Sequence, residues 1–205
     1  MKKRLFIYDF ETNGLWHRGN QPIEVAIKVI EKNGAEINYH SYIKCNRPLS
    51  YTIEELTGIT DAILEEKGKS IRTVFEEINK LLNKPDTLVI GHNIIRFDNL
   101  FLNRYMEEFG LPTITKHDCF DTAGQMKAEL IGFQKEKEWS WGEYHNTAIG
   151  KIIKGAKYKL TDASKYYKVK QTEPLHNAKA DVEHTYKILL KQFQKIKESK
   201  KNQNN

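Results

Sequence analysis

Cysteine is scarce in this 205-residue chain, and long apolar runs are absent from it. The only two cysteines, Cys45 and Cys119, lie far apart in sequence and form no disulfide framework, which indicates a reducing, intracellular compartment. No apolar stretch approaches the roughly 20 residues that a membrane-spanning helix needs. The basic start, Met1 to Arg4, is followed by too few apolar residues before Asp9 to form the apolar region of a signal peptide. We therefore expect a cytoplasmic protein.

Positive charge exceeds negative charge, with a formal net charge of +6 and a pI near 9.1. Such a balance suits a polyanionic partner such as nucleic acid. Much of the excess lies in residues 191–201, so we expect a local contact rather than a broad basic face. The length favours one domain, over residues 1–195, followed by a polar tail at 196–205 that is expected to fray.

A short apolar run near the N-terminus leads directly into Asp9 and Glu11 and then into a glycine turn. Such a run, bounded by a turn signal, predicts a buried strand. Because side chains alternate along a strand, Asp9 and Glu11 share one face, while Tyr8 and Phe10 face the opposite way. Two acids side by side at the end of a buried strand repel each other unless a cation lies between them. A divalent cation held by carboxylate oxygens is the simplest partner.

The remaining elements follow from apolar spacing and capping signals. Strands are predicted at 5–8, 23–31, 37–43, 87–90 and 117–120. Helices are predicted at 52–58, 70–82, 97–109, 122–130, 160–167 and beyond 177. Thr52 with Glu55 matches a capping box, and Ser70 is the expected N-cap of the second helix. Residues 132–159 match no regular pattern and are predicted to form an insertion or a mobile loop. The order of elements predicts an α/β fold, in which one mixed five-stranded sheet with an antiparallel edge is flanked by helices.

Acidic residues stand where several of these predicted elements begin or end. They occur in three motifs: Asp9-Phe10-Glu11-Thr12, His92-Asn93-Ile94-Ile95-Arg96-Phe97-Asp98 and His176-Asn177-Ala178-Lys179-Ala180-Asp181. Together, and in this order, the motifs resemble those of the DEDDh 3′–5′ exonucleases, a family with a ribonuclease H-like fold. That family includes the proofreading subunit of bacterial replicative polymerases. The resemblance extends over about Leu5 to Leu190, and includes Leu56 to Thr60 and Tyr158 to Leu160. Asn177 stands where a sister class has tyrosine, so the histidine-containing class is the one resembled.

The resemblance implies a role for each motif residue. Asp9, Glu11, Asp98 and Asp181 would hold two Mg²⁺ ions, for which Mn²⁺ could substitute. Asp9 would bridge both ions, and His176 would be the general base. Leu56, Gly58 and Ile59 would pack against the terminal nucleotide, and further candidates for the pocket wall are Thr12, His92, Asn93 and Phe97. For two of these a structural role is favoured, His92 as a cap of the helix start or the strand end and Asn93 as a turn or cap residue. Products would be nucleoside 5′-monophosphates released from a 3′ end.

Several functions remain open at this point. The leading one is a 3′–5′ exonuclease on single-stranded DNA, either free-standing or associated with a DNA polymerase. An exoribonuclease on RNA or short oligoribonucleotides would use the same chemistry and differ only in how the site treats the 2′-hydroxyl group. A non-catalytic nucleic-acid-binding module has no need for clustered acids that repel phosphate. An endonuclease on a ribonuclease H-like fold would not need His176. The oligomeric state stays open.

Overall fold

The computed structural model describes residues 3–152, 157–170 and 177–203. These residues include a central mixed sheet of five strands. The strands are β1 Arg4–Thr12, β2 Pro22–Ile30, β3 Glu36–Tyr42, β4 Thr87–Gly91 and β5 Cys119–Asp121. Their spatial order is β3-β2-β1-β4-β5. The β1–β2 and β2–β3 pairs are antiparallel, and the β1–β4 and β4–β5 pairs are parallel. The predicted α/β fold with an antiparallel edge is confirmed.

Eight α-helices accompany this sheet in the described part of the chain. They are α1 Tyr51–Thr57, α2 Asp61–Lys67, α3 Ile71–Leu82, α4 Asp98–Glu108, α5 Thr122–Leu130, α6 Trp141–Gly150, α7 Leu160–Tyr166 and α8 Ala178–Gln203. The sequence analysis did not predict α2. Among the described residues, none of these helices is both long and apolar enough to cross a membrane.

The two faces of the sheet bury different side chains of β1. Tyr8 and Phe10 lie in a core cluster with Phe75 of α3 and Phe101 of α4. On the opposite face, Ile7 packs with residues of β4, β5 and α8. The predicted alternation is therefore confirmed, and it turns Asp9 and Glu11 towards the α8 side of the sheet.

Two local predictions were wrong because side-chain caps define these elements. Helix α1 begins after Ser50, whose side chain accepts a hydrogen bond from the Ile53 amide, and not at a capping box on Thr52. The strand predicted at 117–120 begins only at Cys119, because Thr115 and Asp118 form a capping box that holds residues 116–118 in a 3-10 turn.

The segment 132–159, predicted as an insertion or loop, contains helix α6. A capping box of Ser140 and Glu143 starts this helix. Its side chains pack on the preceding loop, where the ring of Tyr144 stacks on that of Phe133 at a centroid distance of 5.5 Å. The loop prediction is therefore wrong for Trp141–Gly150.

The polar C-terminal residues continue α8 as far as Gln203, so the predicted fraying after Ile196 is not observed there. Lys195 forms a 2.6 Å ion pair with Glu129 of α5. Within α8, the side-chain amide of Gln194 donates to Glu198, four residues on, at 2.9 Å. A pair with this spacing supports a polar helical segment that has little apolar surface, and the Lys195–Glu129 pair joins the segment to α5.

Candidate active site

Three carboxylates meet at the C-terminal end of β1. Asp9 and Glu11 come from β1, and Asp181 comes from the first turn of α8. One carboxylate oxygen from each residue lies within 4.8 Å of the other two. Asp181 is only 8% exposed, and the other two side chains are half-buried. Oxygen atoms that converge in this way from two elements are the ligands that hard divalent cations prefer.

Asp98, the fourth predicted acid, lies beside this group rather than within it. It is the first residue of α4 and is 3% exposed. Its Oδ1 accepts a hydrogen bond from the backbone amide of Phe10, between the two acids of β1, at 3.1 Å. This contact brings the start of α4 to the end of β1, so all four predicted acids share one site.

The acids line a cleft of about 790 Å³. The cleft is also lined by residues 157–162, which include the exposed Lys157 and Lys159. Three predicted pocket residues, His92, Asn93 and Phe97, also line the cleft. A second cavity of about 790 Å³ lies between α5 and the end of α8. Within the described ranges, only the first cavity holds three potential metal ligands within 4.8 Å of one another.

Comparison with known proteins agrees with this geometry. The sequence profile of the exonuclease family RNase_T matches residues 6–189. The chain belongs to this exonuclease family. The ribonuclease H-like fold implied by the motifs is confirmed by its likeness to the structure of Escherichia coli Exonuclease I in complex with a dT13 oligonucleotide. That likeness has a TM-score of 0.71 at 19% identity, and covers 93% of this chain and 40% of the other.

Two curated relatives of this exonuclease-family chain are larger proteins. The DNA polymerase III PolC-type of Mycoplasma genitalium is 36% identical over 110 residues, which cover 53% of this chain and 7% of the polymerase. The 3′-5′ exonuclease DinG of Bacillus subtilis is 26% identical over 198 residues, which cover 96% of this chain and 18% of that protein. The chain thus spans less than a fifth of the length of either relative.

Burial and mutual repulsion raise the proton affinity of the acids in this candidate site. Burial, followed by repulsion from Asp181 and Glu24, raises the pKa of Glu11 to about 8. Burial also raises the pKa of Asp98 to about 7, although the amide of Phe10 opposes the shift. The pKa of Asp9 is raised well above its usual value, first by burial and then by its acidic neighbours. A site in which carboxylates repel one another so strongly fits a divalent cation, whose charge would offset the repulsion.

His92 joins three parts of the site. Burial lowers its pKa to about 4, so the imidazole is neutral at pH 7. Its Nε2 lies 2.8 Å from the carbonyl oxygen of Tyr158, which can only accept, so Nε2 carries the hydrogen. Nδ1 lies 2.9 Å from the Thr122 hydroxyl oxygen, and that hydroxyl group also donates to the Gly91 carbonyl at 3.1 Å. His92 therefore connects the end of β4 to the start of α5 and to the cleft residue Tyr158, which is a structural role.

Three other predicted pocket residues have clear local functions. Asn93 adopts a left-handed backbone conformation with φ of 66°, and its backbone amide donates to the carboxylate of Asp121, so it is a turn residue. Phe97 packs edge-on against Phe101 and also lines the cleft. Thr12 is 8% exposed, and its hydroxyl group donates to the carbonyl of the glycine at position 14.

The predicted nucleotide contacts around the end of α1 differ in the exposure of their side chains. Ile59 is 3% exposed and packs against Ile23 and Leu64, so its side chain belongs to the core. Gly58 ends α1 in a left-handed conformation with φ of 70°. Leu56 is 49% exposed and is the member of this group whose side chain offers an apolar surface.

His176 lies outside the described residues, and its role as general base stays a prediction. A buried acid beside the four predicted ones was missed from the sequence: Glu24 of β2, which lies directly opposite Glu11 in the β1–β2 register. A signal for it was present, because Glu24 is a charged residue between the apolar Ile23 and Val25 of a buried strand.

Proposed function

We propose that this chain is a 3′–5′ exonuclease that hydrolyses phosphodiester bonds at the 3′ end of single-stranded DNA and releases nucleoside 5′-monophosphates. The observation that carries the proposal is the convergence of Asp9, Glu11 and Asp181 within 4.8 Å in a cleft, with Asp98 alongside. A nucleic-acid-binding module without catalysis gains nothing from such a cluster, because buried carboxylates repel phosphate and cost stability.

Two divalent cations, Mg²⁺ or Mn²⁺, are the proposed cofactors. Asp9, Glu11 and Asp181 would hold them directly, and Asp98 would complete the site from α4. When bound, such a metal pair supplies charge neutralisation at the phosphate and activates the attacking water. That Escherichia coli Exonuclease I has also been solved with a bound zinc ion supports a metal requirement here.

The chain's own residues bind and orient the strand. Lys157 and Lys159 line the same cleft as the acids, where their ammonium groups can attract the phosphates. Phe97, which lines the cleft, and the exposed Leu56 offer apolar surfaces for a sugar or a base face. His176, which precedes Asp181 by five residues, would accept a proton from the attacking water.

The relatives support DNA as the substrate. Exonuclease I has been solved with a dT13 oligonucleotide, and DinG is named a 3′-5′ exonuclease. Since PolC-type polymerases contain a segment similar to part of this chain, association with a DNA polymerase is part of the proposal. We assign the exonuclease domain to residues 1–195.

The test is digestion of matched single strands of DNA and RNA, labelled at the 5′ end, with Mg²⁺ or with EDTA. A circular DNA strand distinguishes exonuclease from endonuclease activity. We expect a ladder that shortens from the 3′ end of linear DNA, requires Mg²⁺ and is absent with Asp181→Asn. Asp61→Asn, at the start of α2, is the control substitution and should retain activity. Faster digestion of RNA would replace the DNA assignment, and intact strands under all conditions would refute the nuclease.

A further inference from the structure

Glu24 is a buried acid that the proposed chemistry does not use. It is 1% exposed, near the start of β2, and it faces Glu11 across the β1–β2 pair. Burying a carboxylate beside other carboxylates is costly, and its charge contributes to the raised pKa of Glu11. Both of its oxygens are nevertheless engaged. Oε1 forms a 2.6 Å hydrogen bond with His40 Nε2, and Oε2 accepts from the backbone amide of Ala178 at 3.2 Å.

The Ala178 contact caps the helix that carries Asp181. Ala178 is the first residue of α8, and the first amides of a helix lack partners within the helix. The side chain of Asn177 accepts from the next two amides, those of Lys179 and Ala180, at 3.1 and 3.3 Å. Glu24 therefore supplies, from strand β2, the acceptor oxygen for the remaining amide of the helix start.

A second contact joins the same two elements on the other side of Asp181. The Lys28 ammonium group, on the same face of β2 as Glu24, lies 2.8 Å from Glu183 of α8. In the sequence of α8, Asp181 thus lies between two residues that contact β2, Ala178 and Glu183. The Glu24–Ala178 contact is the buried one. The Glu183 side chain is 45% exposed, so water partly screens its ion pair with Lys28.

We propose that Glu24, oriented by His40, is a positioning residue that holds the start of α8 against β2 and so sets Asp181 at metal-binding distance from Asp9 and Glu11. This inference rests on the proposed function only in taking the three acids as a metal site. Glu24 acts through the reach of its side chain to the Ala178 amide, and its charge is not required. Partners that orient metal ligands in this way typically change metal affinity 10- to 100-fold when they are altered.

Two substitutions distinguish the effect of the length of the Glu24 side chain from the effect of its negative charge. Glu24→Gln keeps the side-chain length and an acceptor oxygen but removes the charge. Glu24→Asp keeps the charge but is one methylene too short to hold the amide. Glu31→Asp is the matched control, because Glu31 follows the other end of β2 and accepts a 2.9 Å hydrogen bond from Arg4.

The measurement is Mn²⁺ affinity by isothermal titration calorimetry without substrate, after urea unfolding has shown that each variant is folded. We expect Glu24→Asp to weaken Mn²⁺ binding about 10-fold or more, while Glu24→Gln and Glu31→Asp stay within about threefold of the unaltered chain. Unchanged affinity in Glu24→Asp, or equal losses in the Gln and Asp variants, would overturn the proposal. Because binding is measured without catalysis, an inactive chain that still follows this pattern would refute the nuclease and leave the positioning role standing.

Discussion

Replacing Glu11 with glutamine should stabilise the metal-free protein, with an effect that grows with pH. The pKa of Glu11 is raised from 4.5 to about 8 in the folded chain. Between these values the folded protein holds a proton that the unfolded chain has lost, so the free energy of unfolding decreases as the pH rises. Each bound proton gives a slope of about 1.4 kcal/mol per pH unit. Glutamine does not titrate, so Glu11→Gln removes this contribution.

The size of the effect depends on how far the pH lies above 4.5. Between pH 4.5 and pH 7, this slope would lower the free energy of unfolding by about 3 kcal/mol. Glu11 is half-buried and solvent screens part of the repulsion, so we expect about 2 kcal/mol at pH 7 and a small difference at pH 5. Metal should reverse the order, because a cation that binds only the folded state stabilises the unaltered chain and has lost a ligand in Glu11→Gln.

The assay is urea unfolding of both chains in EDTA at pH 5, 6, 7 and 8, repeated with Mg²⁺. Glu65→Gln, which alters an exposed glutamate of α2, controls for the substitution itself. The reasoning is refuted if Glu11→Gln is the less stable chain at pH 7 in EDTA, or if its advantage does not grow between pH 5 and pH 8. Either result would mean that the acids of this site do not repel one another as their burial indicates.

Three further outcomes are expected. His176→Gln should lower kcat by roughly 10²- to 10⁴-fold, the usual contribution of a general base, while Mn²⁺ affinity measured by calorimetry stays unchanged. Burial lowers the pKa of His92 to about 4 and that of His145 to about 3, so ¹⁵N NMR should show both imidazoles neutral at pH 5.5. Since the unfolded chain takes up these protons first, the two histidines should lower stability as the pH falls from 6.5 towards 4. Trp16 is 78% exposed on a loop held by Arg104, so Trp16→Ala should raise KM for single-stranded DNA several-fold and change stability by no more than about 0.5 kcal/mol.

Local sequence signals were sufficient where the element itself carries the information. The helix predicted at 122–130 is the observed α5, and the predicted cap Ser70 accepts from the Thr73 amide at 3.2 Å. The alternation along β1 placed Asp9 and Glu11 on one face, and the resemblance of the motifs implied that Asp181 lies beside them.

Other features depend on contacts between distant parts of the chain. Helix α6 is held by aromatic packing against other elements, such as Phe120 of β5 against Trp141 at a centroid distance of 5.3 Å, and its own apolar spacing is weak. The position of Asp98 outside the three-oxygen group depends on its bond to the Phe10 amide, which no motif specifies. The cap that Glu24 provides joins residues 154 positions apart, and sequence spacing cannot show it.

These long-range contacts explain how the fold stays intact although the carboxylates of the site repel one another. Behind the acids, the Tyr8 hydroxyl donates to Asn99 at 2.6 Å in the buried core, which fixes α4 to β1 one residue beyond Asp98. On the other face, Glu24 fixes the start of α8 to β2. Buried hydrogen bonds of this kind are costly to break, because the separated donor and acceptor would have no water molecule to bond with in the core. The repulsion among the carboxylates is therefore relieved by proton uptake, as their raised pKa values show, rather than by separation of the elements. It follows that a cation entering the site displaces protons from ligands already in place, and that cation affinity should rise with pH up to about pH 8.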